Sequence, residues 1–144
     1  MTRIVKIPVW VVIGLSILGC KPAKTKEDAA DSIFPELSPE RTGIRFENNL
    51  TDAPNFNIIE YLYYYNGAGV AVGDINGDGL DDIYFGANQV GDRLYINKGG
   101  LKFEDVTAAA GILSDNSWTT GVAMDDINGD GYTDIYVCKV SKTD

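Results

Sequence analysis

Two stretches of the chain place oxygen-bearing side chains at matching intervals. DINGDGLDDIYF begins at Asp74 and DINGDGYTDIYV begins fifty-two residues later at Asp126, with nine of the twelve positions identical. Counted from the leading aspartate, side-chain oxygens fall at positions one, three, five and nine. These are Asp74, Asn76, Asp78 and Asp82 in the first copy and Asp126, Asn128, Asp130 and Asp134 in the second. Position six is glycine in both copies, and position seven, Leu80 or Tyr132, offers its backbone carbonyl. Alternate residues wrapped around one cation, with a glycine at the sharp turn, are the ligand pattern of a calcium loop. An all-oxygen donor set selects a hard cation, and Mg²⁺, which keeps its waters and a rigid octahedron, fits less well. The expectation is two structural Ca²⁺ sites. Asn-Gly and Asp-Gly also make hairpin turns, but a turn needs no acids at positions one, five and nine, and without a cation those acids repel one another. Asp81 becomes Thr133 in the second copy, so it reads as solvent-facing.

Composition narrows the partners. The 144 residues carry a net charge of -9, and eight of the 21 acids lie in the clusters 74–82 and 125–134. A nucleic-acid partner is excluded on sign, since phosphate backbones require clustered Lys and Arg. The chain has no His, which removes the commonest general base and a common zinc and iron ligand.

The elements that must position the loops are short strands. GVAVGD (69–74), DIYFGA (82–87), RLYINK (93–98) and LKFEDVT (101–107) are separated by Gly-, Asn- and Asp-rich turns, which predicts one antiparallel four-stranded sheet. TAAAGI (107–112) predicts a single helical turn capped by Thr107 and stopped by Gly111. The pattern restarts at TGVAMDD (120–126) and runs through DIYVCK (134–139). Four short strands in a repeat of about 50 residues predict a β-propeller blade, and a closed propeller takes about four blades or more. The expected fold is all-β: about one and a half four-stranded blades with calcium loops, the N-terminal fragment of a longer propeller. Ahead of the repeats, GIRFENNL (43–50) reads as a strand that serves a closing blade. Tyr61, Tyr63 and Tyr65 alternate as in a half-buried strand, and packing is a better use of these rings than a ligand platform. Cys138 reads as a small buried strand residue.

The first twenty residues read as an address. MTRIVKIPVWVVIGLSILGC has a positive start at Arg3 and Lys6, an apolar run from Ile7 to Leu18, and Cys20 after Gly19. The run is shorter than the ~20 residues of a bilayer span, and the three-part pattern is that of a secretory signal. Its end resembles the lipobox of bacterial lipoproteins, which implies lipidation of Cys20 and an anchor by acyl chains. The expected organisation is signal peptide 1–20, flexible tether 21–40 and propeller repeats 41–144. The expected location is lipid-anchored at the outer membrane or cell surface.

Position twelve separates the loops from helical calcium motifs. An EF-hand needs an acid there, whereas this chain has Phe85 and Val137, and the residues that follow are strand-like. GVAVGDINGDGLDDIYF and GVAMDDINGDGYTDIYV resemble the FG-GAP or VCBS repeat, the calcium-loop blade of the integrin α N-terminal propeller. GIRFENNLTDAPNFNIIEYLYYYNGAGVAVGD, DRLYINKG and FEDVTAAAGI are further similar to the start of ASPIC/UnbV-type repeat proteins. The resemblance implies a binding or adhesion scaffold with structural calcium and no catalytic centre, meeting an extracellular protein or glycan. The alternative is the non-catalytic propeller part of a larger secreted enzyme or of an outer-membrane nutrient-uptake system.

Overall fold

The computed structural model describes residues 33–112 and 117–140. The expectations for the signal, Cys20 and residues 21–32 of the tether lie outside the described residues. Everything below belongs to the unit Leu37–Asp144. It opens with one short helix, α1 (Pro39–Thr42), which ends at Gly43. No helix among the described residues is long and apolar enough to cross a membrane.

Strands β1 (Val70–Gly73), β2 (Asp82–Phe85), β3 (Arg93–Asn97) and β4 (Phe103–Asp105) form one sheet in sequence order. Each pair is antiparallel, with Val72 opposite Ile83, Ile83 opposite Tyr95 and Tyr95 opposite Asp105. Val, Ile, Tyr and Phe fill the strands, as a pleated half-buried surface requires, and the Gly-rich links between them are too short for anything but meander connections. Ala71, Tyr84 and Leu94 lie in register on one face and are all buried. The other face is partly covered by the leading segment, where Phe46 stacks on Phe85 at 5.0 Å. A second hairpin, β5 (Trp118–Asp125) with β6 (Asp134–Val140), repeats the β1–β2 arrangement and lies against β1. The fold is all-β, a fragment of a β-propeller: one four-stranded blade and the first hairpin of another.

The junction between blades rests on missing side chains. A Cβ on Gly69 would stand 2.4 Å from the Val122 nitrogen, and one on Gly86 would stand 2.6 Å from Thr119 Cγ2. With none there, Gly86 N–H donates to Gly69 O at 2.7 Å and Thr119 N–H donates to Ala87 O at 3.0 Å.

Four local expectations change. Residues 43–50 alternate in burial but form no ladder, because the segment pairs through side chains such as Asn48 with Asn88. Residues 57–65 fold into successive turns, so the buried ring is Tyr64 while Tyr63 and Tyr65 are exposed. Residues 107–111 make the single expected turn, with Ala110 N–H donating to Val106 O at 2.8 Å and Gly111 at φ 70°. The Thr107 hydroxyl, however, does not cap it and is spent on the sheet, where it accepts from Leu94 N–H at 3.0 Å and donates to Asp105. Cys138 is exposed. It lies on the two-stranded β5–β6 sheet, where no third strand is described beside β6.

Candidate functional site

The first loop joins β1 to β2 and is organised by its own carboxylates. Asp74 Oδ1 accepts from the N–H groups of Gly77 (2.8 Å) and Asp78 (3.1 Å), while its Oδ2 accepts from Gly79 (2.8 Å). Three backbone donors converge because Gly77 and Gly79 adopt φ of 75° and 84°, the left-handed region that glycine enters at no steric cost. Asp78 Oδ1 accepts from Leu80 N–H at 2.9 Å, and Asn76 Oδ1 accepts from Asp78 N–H at 2.9 Å. Asn76 Nδ2 stands 3.0 Å from Asp78 Oδ2, so positions three and five face one another. Asp82 closes the loop: it is fully buried at the start of β2, with Oδ2 accepting from Ile75 N–H (3.1 Å) and Oδ1 from Asn97 N–H (2.7 Å).

The second loop, between β5 and β6, reproduces this network almost bond for bond. Asp126 accepts from Gly129 (2.7 Å), Asp130 (3.1 Å) and Gly131 (2.8 Å), and Asp134 Oδ2 accepts from Ile127 (3.1 Å). Asn128 Nδ2 lies 3.1 Å from Asp130 Oδ2, Asn128 Oδ1 accepts from Asp130 N–H at 2.9 Å, and Asp130 Oδ1 accepts from Tyr132 N–H at 2.9 Å. Gly129 and Gly131 take φ of 76° and 88°.

The loop environments differ where β3 is concerned. Leu80 lies beside Gly99 on the β3–β4 turn and is 38% exposed, whereas Tyr132 is 75% exposed. Asp134 Oδ1 likewise has no counterpart of the Asn97 donor among the described residues.

The electrostatics are one-sided. The Gly79 N–H above all holds the Asp74 carboxyl below the usual carboxylate range; partial desolvation opposes it, and the N–H groups of Asp78 and Gly77 reinforce it. The ion pairs among the described residues, Arg45–Glu40, Arg93–Asp105, Lys98–Glu104 and Lys139–Asp92, touch none of the loop acids. Each loop therefore gathers three carboxylates that make no ion pair with a basic side chain among the described residues. Among the described residues no group of three His, Cys, Asp or Glu side chains is placed to hold a metal by itself. A cation here would draw on the Asn side chain and the position-seven carbonyl as well. The donor chemistry fits a hard cation: a carboxylate offers about four lone-pair sites, and the hydrogen bonds use three on Asp74, two on Asp78 and two on Asp82.

Sequence reasoning missed the polar node between the blades. Asp92 is buried and accepts from Tyr84 Oη (2.9 Å), Ala87 N–H (2.8 Å) and Thr119 Oγ1 (3.0 Å), with Lys139 Nζ at 3.7 Å. Beside it, buried Asn88 donates to Gly67 O at 3.2 Å and to Thr119 O at 2.9 Å, and accepts from Asn48 Nδ2 at 2.6 Å. The available signal was the polar run ANQVGD between two apolar strands, which a turn alone does not require.

Residues 74–137 match the family model of the FG-GAP-like repeat, a span that contains both loops. The chain is 36% identical over 88 residues to integrin alpha-PS5 of Drosophila melanogaster, covering 54% of this chain and 9% of that protein. It is 33% identical over 92 residues to integrin alpha-8 of Mus musculus, covering 54% and 9%. It is 36% identical over 72 residues to cartilage acidic protein 1 of Homo sapiens, covering 50% and 11%. The chain thus spans about a tenth of the length of these relatives. No solved structure matches it. The match to this repeat family falls on the residues that build the two loops and the strands between them.

Proposed function

We propose that this chain is part of a calcium-stabilised β-propeller that serves as a binding or adhesion scaffold, held at a bacterial outer membrane or cell surface by a lipid on Cys20. The observation that carries the calcium reading is the pairing of two loops with matching internal hydrogen bonds, each with three carboxylates and no basic partner among the described residues. Asp74, Asn76, Asp78, Asp82 and the Leu80 carbonyl would hold one Ca²⁺, and Asp126, Asn128, Asp130, Asp134 and the Tyr132 carbonyl the other. Bound calcium would supply positive charge and fix the turns between β1 and β2 and between β5 and β6. The backbone hydrogen bonds to Asp74 and Asp126 preset both loops, which lowers the ordering cost of binding.

Supporting the scaffold reading are the FG-GAP-like repeat match and the similarity to two integrin α chains. Supporting the anchor is the sequence of residues 1–20 alone. Calorimetric titration of the chain with Ca²⁺ is expected to show binding and a raised melting temperature, reversed by EDTA, with both effects lost in the double variant Asp78→Ala, Asp130→Ala. No heat of binding, or full binding by the double variant, would sink the calcium reading. For the anchor, Cys20→Ser is expected to move the protein out of the membrane fraction, and unchanged fractionation would refute it.

A further inference from the structure

The aromatic segment 56–65 holds two kinds of ring. Tyr64 is fully buried and its hydroxyl is engaged twice, donating to Thr51 O at 2.8 Å and accepting from Gln89 Nε2 at 2.8 Å. A ring recruited for packing is expected to look like this, with its polar end satisfied. Tyr61 and Tyr63 differ. They meet edge to face with centroids 5.9 Å apart, Tyr63 stays 58% exposed, and neither hydroxyl has a hydrogen-bond partner among the described residues.

Both rings line a cavity of about 280 Å³ together with Asn66, Gly67, Trp118 and Thr120. The Asn66 side-chain amide is equally unengaged among the described residues. Trp118 is buried against Tyr61, with centroids 5.7 Å apart. Thr120 enters through a β-bulge: the register steps from Thr119 opposite Lys139 to Gly121 opposite Cys138 and leaves Thr120 as the extra residue. Bulges re-aim side chains beside functional sites. The Thr120 hydroxyl donates to Cys138 O at 3.3 Å, and its oxygen keeps its acceptor capacity.

We propose that this cavity binds a neutral saccharide, which gives the binding scaffold argued above a ligand class and rests on that reading. Aromatic faces carry negative potential and attract the C–H-rich face of a sugar ring. The free tyrosine hydroxyls and the Asn66 amide both donate and accept, as sugar hydroxyls require. The volume lies just below the ~300–1,000 Å³ typical of small-ligand sites, which suits one sugar ring. None of the six lining residues is charged, and the net charge of -9 opposes anionic sugars. A quaternary ammonium prefers ring faces that converge on it, whereas Tyr61 stands edge to face with both Tyr63 (71°) and Trp118 (82°).

The test is calorimetric titration of the full chain with maltohexaose, cellohexaose, xylohexaose and chitohexaose, and with tetramethylammonium for comparison. At least one oligosaccharide is expected to bind, and Tyr63→Ala and Asn66→Ala, both at exposed positions, are each expected to weaken it by about tenfold or more while the melting temperature holds. Silence from all four sugars, binding that neither variant weakens, or binding of tetramethylammonium in their place overturns the proposal. Calcium titration of the same samples separates the failures. Calcium bound without sugar removes only this site, and sugar bound through Tyr63 and Asn66 without calcium removes only the metal.

Discussion

Asp92 shows how much one side chain can hold when it sits between blades. Its carboxylate takes three donors from three places, Tyr84 in β2, Ala87 after β2 and Thr119 in β5. Removing it takes this acceptor away from three buried donors, and a buried donor left unsatisfied costs about 1–3 kcal/mol. Asp92→Ala is therefore expected to lower the urea unfolding free energy by roughly 3 kcal/mol or more. Asp81→Ala, at an exposed side chain, is expected to stay within about 0.5 kcal/mol. Equal losses in the two variants would show that Asp92 is not the node described. The two loops were legible as one repeated unit because their spacing recurs, and both build the same internal hydrogen bonds. Asp92 was not, because a lone aspartate in a polar turn gives no sign of donors that arrive from elsewhere in the chain.

At the scale of elements, β1 to β4 were legible to within two residues at each end, since alternation and Gly-rich punctuation act locally. The tyrosine segment was misread for the complementary reason. Period-two spacing at Tyr61, Tyr63 and Tyr65 fits a strand, but no strand among the described residues offers it a ladder, and the chain turns and buries Tyr64 against Phe56 and Trp118 instead. The approach of β5 to β1 is likewise a tertiary fact. Gly69→Ala would set a methyl group 2.4 Å from the Val122 nitrogen, against backbone that has no rotamer to change. It is expected to cost about 1–3 kcal/mol or more. Gly121→Ala, whose Cβ would meet Cys138 Cβ at an ordinary 3.9 Å, is expected to be near neutral. Chemical denaturation of both variants checks this, and a tolerated Gly69→Ala would mean that the strands are not in the contact described.

At the scale of the molecule, the same physics explains why the fold outran the function in the sequence. Repeats announce architecture because each blade must solve the same packing problem against its neighbour. Binding surfaces carry no such repetition, and the cavity at Tyr61 and Tyr63 arises only where a turn segment meets a bulged strand of the second hairpin. The two loops, meanwhile, are near-identical in their internal bonds but unequal in surroundings. Asp82 is gripped by a third strand through Asn97, and Asp134 has no such grip among the described residues. One polypeptide thus carries its own control, two loops with the same internal bonds of which one is braced by a third strand and the other, among the described residues, is not. If both loops take calcium as proposed, the gap between their affinities measures what a neighbouring strand contributes to a metal it never touches.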